Sequence, residues 1–260
     1  MLAVDIGNSR VKVADYAPDG SRSFKSSCTL PRRASVDDCA AALKHLYLLY
    51  GKSPFIDGAA ISSVVPTLTP SFYGALEKHF GVTPLVIGPG VKTGLNIRVE
   101  NAASVGADIV IGAVGALSEF RPPLLIINMG TATTFTGIDS DAMMIGVAIM
   151  PGLLMGLDAL AEKASELSPI ALGKVKSPFG RNTVDSMNSG AILGAAGAVD
   201  GYIDIAAEAL VKSGTSDAAV TAVITGGCAK FVAPYLKNKA EFRESLCLDG
   251  LWRIWKNNQN

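Results

Sequence analysis

Net charge is the first thing this 260-residue sequence lacks: 23 Lys and Arg residues offset 23 Asp and Glu residues. A chain built to neutralise many phosphates carries an excess of cations, so no nucleic-acid partner is expected. Histidine is nearly absent, with His45 and His79 alone, and the four cysteines (Cys28, Cys39, Cys228, Cys247) show no pair at metal-ligand spacing. A zinc site and a disulfide scaffold are therefore not expected, and a reduced, cytoplasmic protein is. The start, Met1 to Asp5, has no basic stretch before an apolar one, which argues against a signal peptide. No uninterrupted apolar run nears the ~20 residues a bilayer requires, so no membrane association is expected. The P-loop pattern G-x-x-x-x-G-K-[ST] is missing as well. What is present is apolar: 49% of residues are hydrophobic and 18% charged. That is too apolar for a disordered chain and ample for a buried core. At ~150 residues per domain, the length fits one large domain or two small ones.

Local patterns read as α/β. Leu2–Ile6 is a short apolar run that stops at Gly7-Asn8, and Val11 and Val13 then alternate with Lys12 and Ala14, which predicts a β-hairpin. Ser35 followed by Asp38 fits a capping box, ahead of an Ala- and Leu-rich helix over Ala40–Tyr50. Gly58–Val64 reads as a buried strand. Thr69-Pro70 opens a helix running to about Phe80. Thr83–Ile87 is another strand, and Val105–Glu119 has helical periodicity. Arg121-Pro122-Pro123 breaks it and is the expected boundary between residues 1–120 and 121–260. Beyond it, Leu124–Asn128, Thr133–Ile138 and Met143–Ile149 predict three antiparallel strands. Leu153–Leu167 and Ser186–Val211 predict helices, and Val220–Thr225 a strand ending at Gly226-Gly227 with a helix after it. The polar tail from Lys256 is expected to fray.

A weak repeat runs through this layout. Val4-Asp5-Ile6-Gly7-Asn8-Ser9 and Ile127-Asn128-Met129-Gly130-Thr131-Ala132 both read apolar, Asx, apolar, Gly, polar, small, 123 residues apart. Each ends a strand and opens a hairpin. Two unrelated glycine turns or an internal duplication both account for it. Two such hairpins facing each other would suit a nucleotide. Gly7 permits close backbone approach to a phosphate. Ser9, Thr131, Thr133 and Thr134 offer hydroxyl donors, and Lys12 a positive charge. Asp5 is placed to hold Mg²⁺ through water, since Mg²⁺ dehydrates reluctantly. Gly226 and Gly227 would allow an adenosine to approach. Asp108 is an isolated carboxylate opening an apolar helix. It reads either as a partner of the helix N-terminus or as a general base that takes the proton of an alcohol attacking a γ-phosphate. A two-metal nuclease is disfavoured, because Asp5 and Asp108 find no third and fourth acid and Asn128 stands where a third is expected.

Six segments, in order, resemble type III pantothenate kinases. They are Asp5 to Lys12; Ile61 to Pro66; Gly90 to Leu95 with Asn101 and Val105-Gly106-Ala107-Asp108; Gly130 to Thr134 with Pro151-Gly152-Leu153 and Leu157 to Leu160; Arg181 to Val184 with Met187 and Ser189-Gly190; and Thr225-Gly226-Gly227. The resemblance implies two RNase H-like lobes of the sugar kinase, heat-shock ATPase and actin (actin-like ATPase) superfamily, with mixed sheets flanked by helices. It implies transfer of the γ-phosphate of ATP to the primary hydroxyl of pantothenate, the first step of coenzyme A synthesis.

By position, Asp108 would accept the proton. Asp5, Gly7, Asn8, Ser9 and Lys12 would surround the phosphates, Asp5 near Mg²⁺. Thr131 would bind ATP, and Gly106, Ala107, Ile109 and Thr183 would face pantothenate. A homodimer and a monovalent cation, K⁺ or NH₄⁺, are also implied. Three positions depart from the family pattern. Ile109 replaces an Arg, removing a charge whose desolvated pairing is worth ~2–5 kcal/mol. Asn128 replaces an Asp that supports the monovalent cation, which weakens that site. Ala102 replaces a Pro. The first two keep open an alternative reading, a catalytically impaired homologue acting as a regulatory or partner-binding protein, and a related sugar or small-alcohol kinase is a third.

Overall fold

The computed structural model describes residues 1–213 and 218–259. It divides into two compact units. The first comprises Met1–Leu95, Asn101–Ser118 and the segment from Leu246 onward; the second comprises Asn96–Glu100 and Glu119–Ser245.

In the first unit, strands β1 (Leu2–Ile6), β2 (Val11–Tyr16), β3 (Arg22–Cys28), β4 (Ala59–Ser63) and β5 (Leu85–Val86) form a mixed sheet in the order β3-β2-β1-β4-β5. The predicted hairpin is present, with β1 antiparallel to β2 and Asp5 opposite Lys12. β1 is fully buried along its length. Such a strand must be covered on both faces, and the apolar run Leu2–Ile6 supplies the side chains for it. Helix α1 (Val36–Leu49) starts at the predicted capping box, where the Asp38 backbone N–H donates to Ser35 Oγ (3.1 Å) and the Ser35 N–H to Asp38 Oδ2 (2.9 Å). Helix α2 (Thr69–Phe80) has its proline in the first turn and ends at Gly81 with φ 70°. Leu43, Tyr47, Phe72 and Leu76 from these helices pack on Val4, Ile6 and Ile61 of the sheet.

Helix α3 (Ala107–Glu119) follows with Asp108 in its first turn. Strand β3 is absent from the sequence reading: Arg22–Cys28 is polar apart from Phe24, as suits the sheet edge it occupies.

The second unit repeats the plan. β6 (Asn96–Ile97), β7 (Leu124–Met129), β8 (Ala132–Ile138), β9 (Met143–Pro151), β10 (Thr221–Thr225) and β11 (Ala240–Phe242) lie in the order β11-β10-β7-β8-β9-β6. The antiparallel trio β7-β8-β9 is as predicted. Helices α4 (Leu153–Lys163), α5 (Thr183–Ser213) and the short α6 (Ala229–Val232) belong to this unit. Among the described residues, α5 alone is long and apolar enough to cross a membrane on length and composition. Its Ile192, Ala196, Val199, Ala206 and Leu210 instead join the core with Leu125, Ile127 and Ile224. Its buried Asp200 accepts the backbone N–H groups of Lys237 (2.9 Å) and Asn238 (2.9 Å).

These units differ from the expected division at residue 120 in two places. Residues 96–100 join the second unit because β6 pairs with β9 and Arg98 donates to the buried Asp139 carboxylate at 2.8 Å. The chain from Leu246 returns to the first unit as helix α7 (Leu246–Asn257), which the sequence reading did not predict. The expected fraying from Lys256 is corrected accordingly. The helix runs on through Lys256, and the Asn258 side chain donates to the Lys92 and Ile254 carbonyls at 2.9 and 2.8 Å.

Candidate active site

The first unit gathers a charged cluster at the end of β1. Asp5 is buried, and its carboxylate lies 3.8 Å from Lys12 Nζ on the paired strand. The parallel register sets Ser62 of β4 beside Asp5 on the other flank, and Ser62 Oγ donates to Asp5 Oδ1 at 3.2 Å. Burial raises the Asp5 pKa above its ordinary value; Lys12 opposes that shift, the negative Asp108 adds to it, and Ser62 opposes it. Asp108 thus lies near enough to act on Asp5 electrostatically. It is partly exposed, so a substrate can reach it.

Two glycines shape the neighbourhood. A Cβ on Gly106 would stand 2.6 Å from Asp108 Oδ1, so a side chain there would turn this carboxylate aside. Ile109 also lies over Gly106. The Gly7 N–H donates to the Arg10 carbonyl at 3.0 Å, and a Cβ there would crowd the same oxygen at 3.1 Å. Asn8 and Ser9 are exposed at this turn. A cavity of about 50 Å³ opens at it, lined in part by Gly7, Asn8, Ser9, Arg10 and Arg32.

The second unit carries a glycine turn one residue shorter at the corresponding place. The Gly130 N–H donates to the Ala132 carbonyl at 3.1 Å. Asn128 lies opposite Thr134 on β8 and beside Thr225 on β10. Its side-chain oxygen is buried with no hydrogen-bond partner. Thr131 is exposed at the turn. Thr133 is buried and lines an apolar cavity of about 280 Å³ with Met129, Met150, Gly152, Gly190 and Gly194. The Gly pair divides its work. Gly226 has φ 100° and presses on the Met129 backbone, where a side chain would collide, whereas nothing stands near the Cα of Gly227, which is exposed. Thr183 is exposed at the start of α5.

The structure therefore brings Asp5, Lys12 and Asp108 into one unit together with the turn Gly7–Ser9 and the segment Gly106–Ile109. Asn128, Thr131, Thr133, Thr183, Gly226 and Gly227 belong to the other. Sequence reasoning missed Ser62, whose signal was its place in a buried strand parallel to β1. It also missed Cys247. That thiol is buried at the start of α7, 4.0 Å from the Asp108 carbonyl oxygen. Burial, reinforced by Asp5, Asp108 and Asp249 against Lys12, pushes it up to about 12. Among the described residues no group of three or more His, Cys, Asp or Glu is placed to hold a metal ion.

A family model described as type III pantothenate kinase matches residues 1–205. A type III pantothenate kinase of Halalkalibacterium halodurans is 35% identical over 259 residues, covering 99% of each chain. One of an Anaeromyxobacter species is 35% identical over 260 residues, covering all of both chains. Among solved structures, a Sinorhizobium meliloti protein provisionally named a 2-dehydro-3-deoxygalactonokinase superposes with a TM-score of 0.58 at 14% identity, over 99% of each chain. The fold is that of the actin-like ATPase and sugar kinase proteins, with two mixed sheets flanked by helices, as the resemblance implied.

Proposed function

This chain belongs to the type III pantothenate kinase family, and from that premise we propose how its residues divide the work. The reaction is ATP-dependent phosphorylation of pantothenate, the opening step of coenzyme A synthesis. Asp108 is the general base. It takes the proton of the pantothenate hydroxyl as the oxygen attacks the γ-phosphate, and catalysis beyond that is positioning and charge stabilisation. The observation that carries this reading is the cluster at the end of β1: a buried carboxylate, a lysine 3.8 Å away and a second, reachable carboxylate close by.

Lys12 and the turn Gly7-Asn8-Ser9 hold the phosphates of ATP. Asp5 would hold Mg²⁺. A single carboxylate suits this ion, because Mg²⁺ keeps several waters and takes its remaining ligands from substrate phosphates. Bound there, Mg²⁺ would supply positive charge to neutralise the phosphates. Gly106, Ala107 and Ile109 face pantothenate, and Ile109 offers it an apolar contact rather than a charge. In the second unit, Thr131, Thr133 and the Gly226-Gly227 turn serve the nucleotide and Thr183 serves pantothenate. The buried, unpartnered Asn128 oxygen is a neutral donor suited to weak binding of K⁺ or NH₄⁺. The four free cysteines suit a reducing cytoplasm. Ile149, Leu154, Met155 and Leu160 leave apolar surface around α4, which supports a homodimer.

The test is ADP release with ATP and pantothenate, for the wild type and for Asp108→Asn. Wild-type turnover that depends on pantothenate and falls by about 10²–10⁴-fold in the variant supports the assignment. A variant that retains turnover removes Asp108 from the base role.

A further inference from the structure

Helix α7 lies outside the 1–205 match, yet it touches the helix that carries Asp108. The two cross backbone to backbone. A methyl group on Gly115 of α3 would run into the Leu246 carbonyl oxygen, and one on Gly250 of α7 would run into the Ile111 carbonyl oxygen. The contact is reciprocal, one glycine from each helix beneath one carbonyl from the other. Helices with ordinary side chains at the contact stay 8–10 Å apart; paired glycines remove that spacer. One turn nearer Asp108, Cys247 Sγ packs 3.7 Å from where a Gly112 side chain would begin, and it reaches the Asp108 carbonyl.

The rest of α7 is fixed to the sheet that carries Asp5. Tyr16 Oη donates to Asp249 Oδ1 at 2.6 Å, Arg22 approaches the same carboxylate at 3.7 Å, and Trp252 stacks on Tyr16 with ring centroids 6.0 Å apart. So α7 holds α3 on one side and the sheet on the other.

We propose that helix α7, through the Gly115–Gly250 crossing and Cys247, is the element that positions Asp108 relative to Asp5; this rests on Asp108 being the base. Gly115, Cys247 and Gly250 are then positioning residues that touch no substrate. The mechanism is mechanical. Asp108 sits two helical turns, about 10 Å, from Gly115 along a stiff rod. Close-packed interiors transmit such displacements instead of absorbing them. A methyl group in the crossing must push the helices apart by about 1 Å, and a misplacement of that size costs a catalytic group on the order of 100-fold.

The experiment measures kcat, KM for ATP and nucleotide binding for G250A and D108N, with melting temperatures. G250A should lower kcat by about 10- to 100-fold while nucleotide affinity stays at the wild-type value. A folded G250A with unchanged kcat overturns the proposal, because the crossing then only stabilises. Equal losses of kcat and nucleotide affinity also overturn it, because the whole unit is then disturbed. If D108N keeps turnover, the base assignment fails first and the proposal falls with it; D108N inactive beside a fully active G250A is failure of the positioning role alone. Should G250A not fold, C247A carries the test. A several-fold fall in kcat at constant KM for ATP, restored in C247S, supports the role, and equal kcat in C247A and wild type overturns it.

Discussion

The turns after β1 and β7 both open on a glycine and differ in length and in charge: Ile6 pairs with Val11 across the first, Met129 with Thr133 across the second. In each, a glycine N–H closes on a carbonyl across the turn, at 3.0 Å for Gly7 and 3.1 Å for Gly130. Each leading strand has an antiparallel partner on one side and a parallel partner on the other. At matching register, however, the first unit sets Asp5 between Lys12 and Ser62, and the second sets Asn128 between Thr134 and Thr225. One copy is ionic and the other neutral. Two glycine turns of different length therefore sit in the same strand arrangement with different side chains beside them. The residue two places before the glycine carries that difference, a carboxylate beside a lysine in the first unit and a neutral amide in the second.

The harshest way to break that contrast is Asp5→Asn, which makes the first turn resemble the second. We expect kcat/KM for ATP to fall by about 100-fold or more, the scale of losing one electrostatic contact to the transferring phosphates. The same substitution should raise stability at neutral pH. Burial holds the folded Asp5 pKa above the unfolded value of 3.8. A carboxyl of this kind contributes most to stability below the unfolded pKa, and the contribution is lost as pH rises through the folded one. The wild type has lost it at pH 7, whereas the amide has nothing to lose. D5N should therefore melt higher than the wild type at pH 7, and the gap should close as the pH falls below 3.8. An equal or lower melting temperature at pH 7 would mean that attraction to Lys12 outweighs burial.

The opposite substitution sharpens the contrast. Asn128→Asp gives the second turn its own charge, and activation by K⁺ should rise several-fold when turnover is titrated with the salt. An unaltered K⁺ response would show that the cation is held elsewhere or is not used. The mildest change is Ser62→Ala. It takes one donor from a buried carboxylate and should cost about 1 kcal/mol in urea denaturation at pH 7. No change there would show that the 3.2 Å contact is carried equally well by water.

Much of this contrast is legible in residues. Gly7-Asn8 and Gly130-Thr131 mark both turns, Ser35 with Asp38 marks a helix start, and Thr69-Pro70 marks another, because each solves a local problem with local chemistry. Strand β3 is not legible, since an edge strand has one neighbour and Phe24 alone among Arg22–Cys28 must be buried. Helix α7 was obscured by its polar end. Lys256 and Asn257 read as a loose tail, but Cys247, Leu248, Leu251 and Ile254 recur at helical spacing and are buried. Ser62 and Cys247 owe their places to strand register and helix crossing, which are long-range facts. Residues 96–100 follow the same rule, as only the pairing with β9 and the Arg98–Asp139 contact assign them to the second unit.

The order of the chain gives α7 one further consequence. Residues of the first unit lie on both sides of the second in sequence. As the polypeptide leaves the ribosome, the second unit emerges complete while the first still waits for the residues after Ser245. Domains fold as units during synthesis, the N-terminal one ordinarily first. Here the second unit is the first to have all its residues translated, and on the proposed role of α7 the two carboxylates are set against each other only once that helix has arrived.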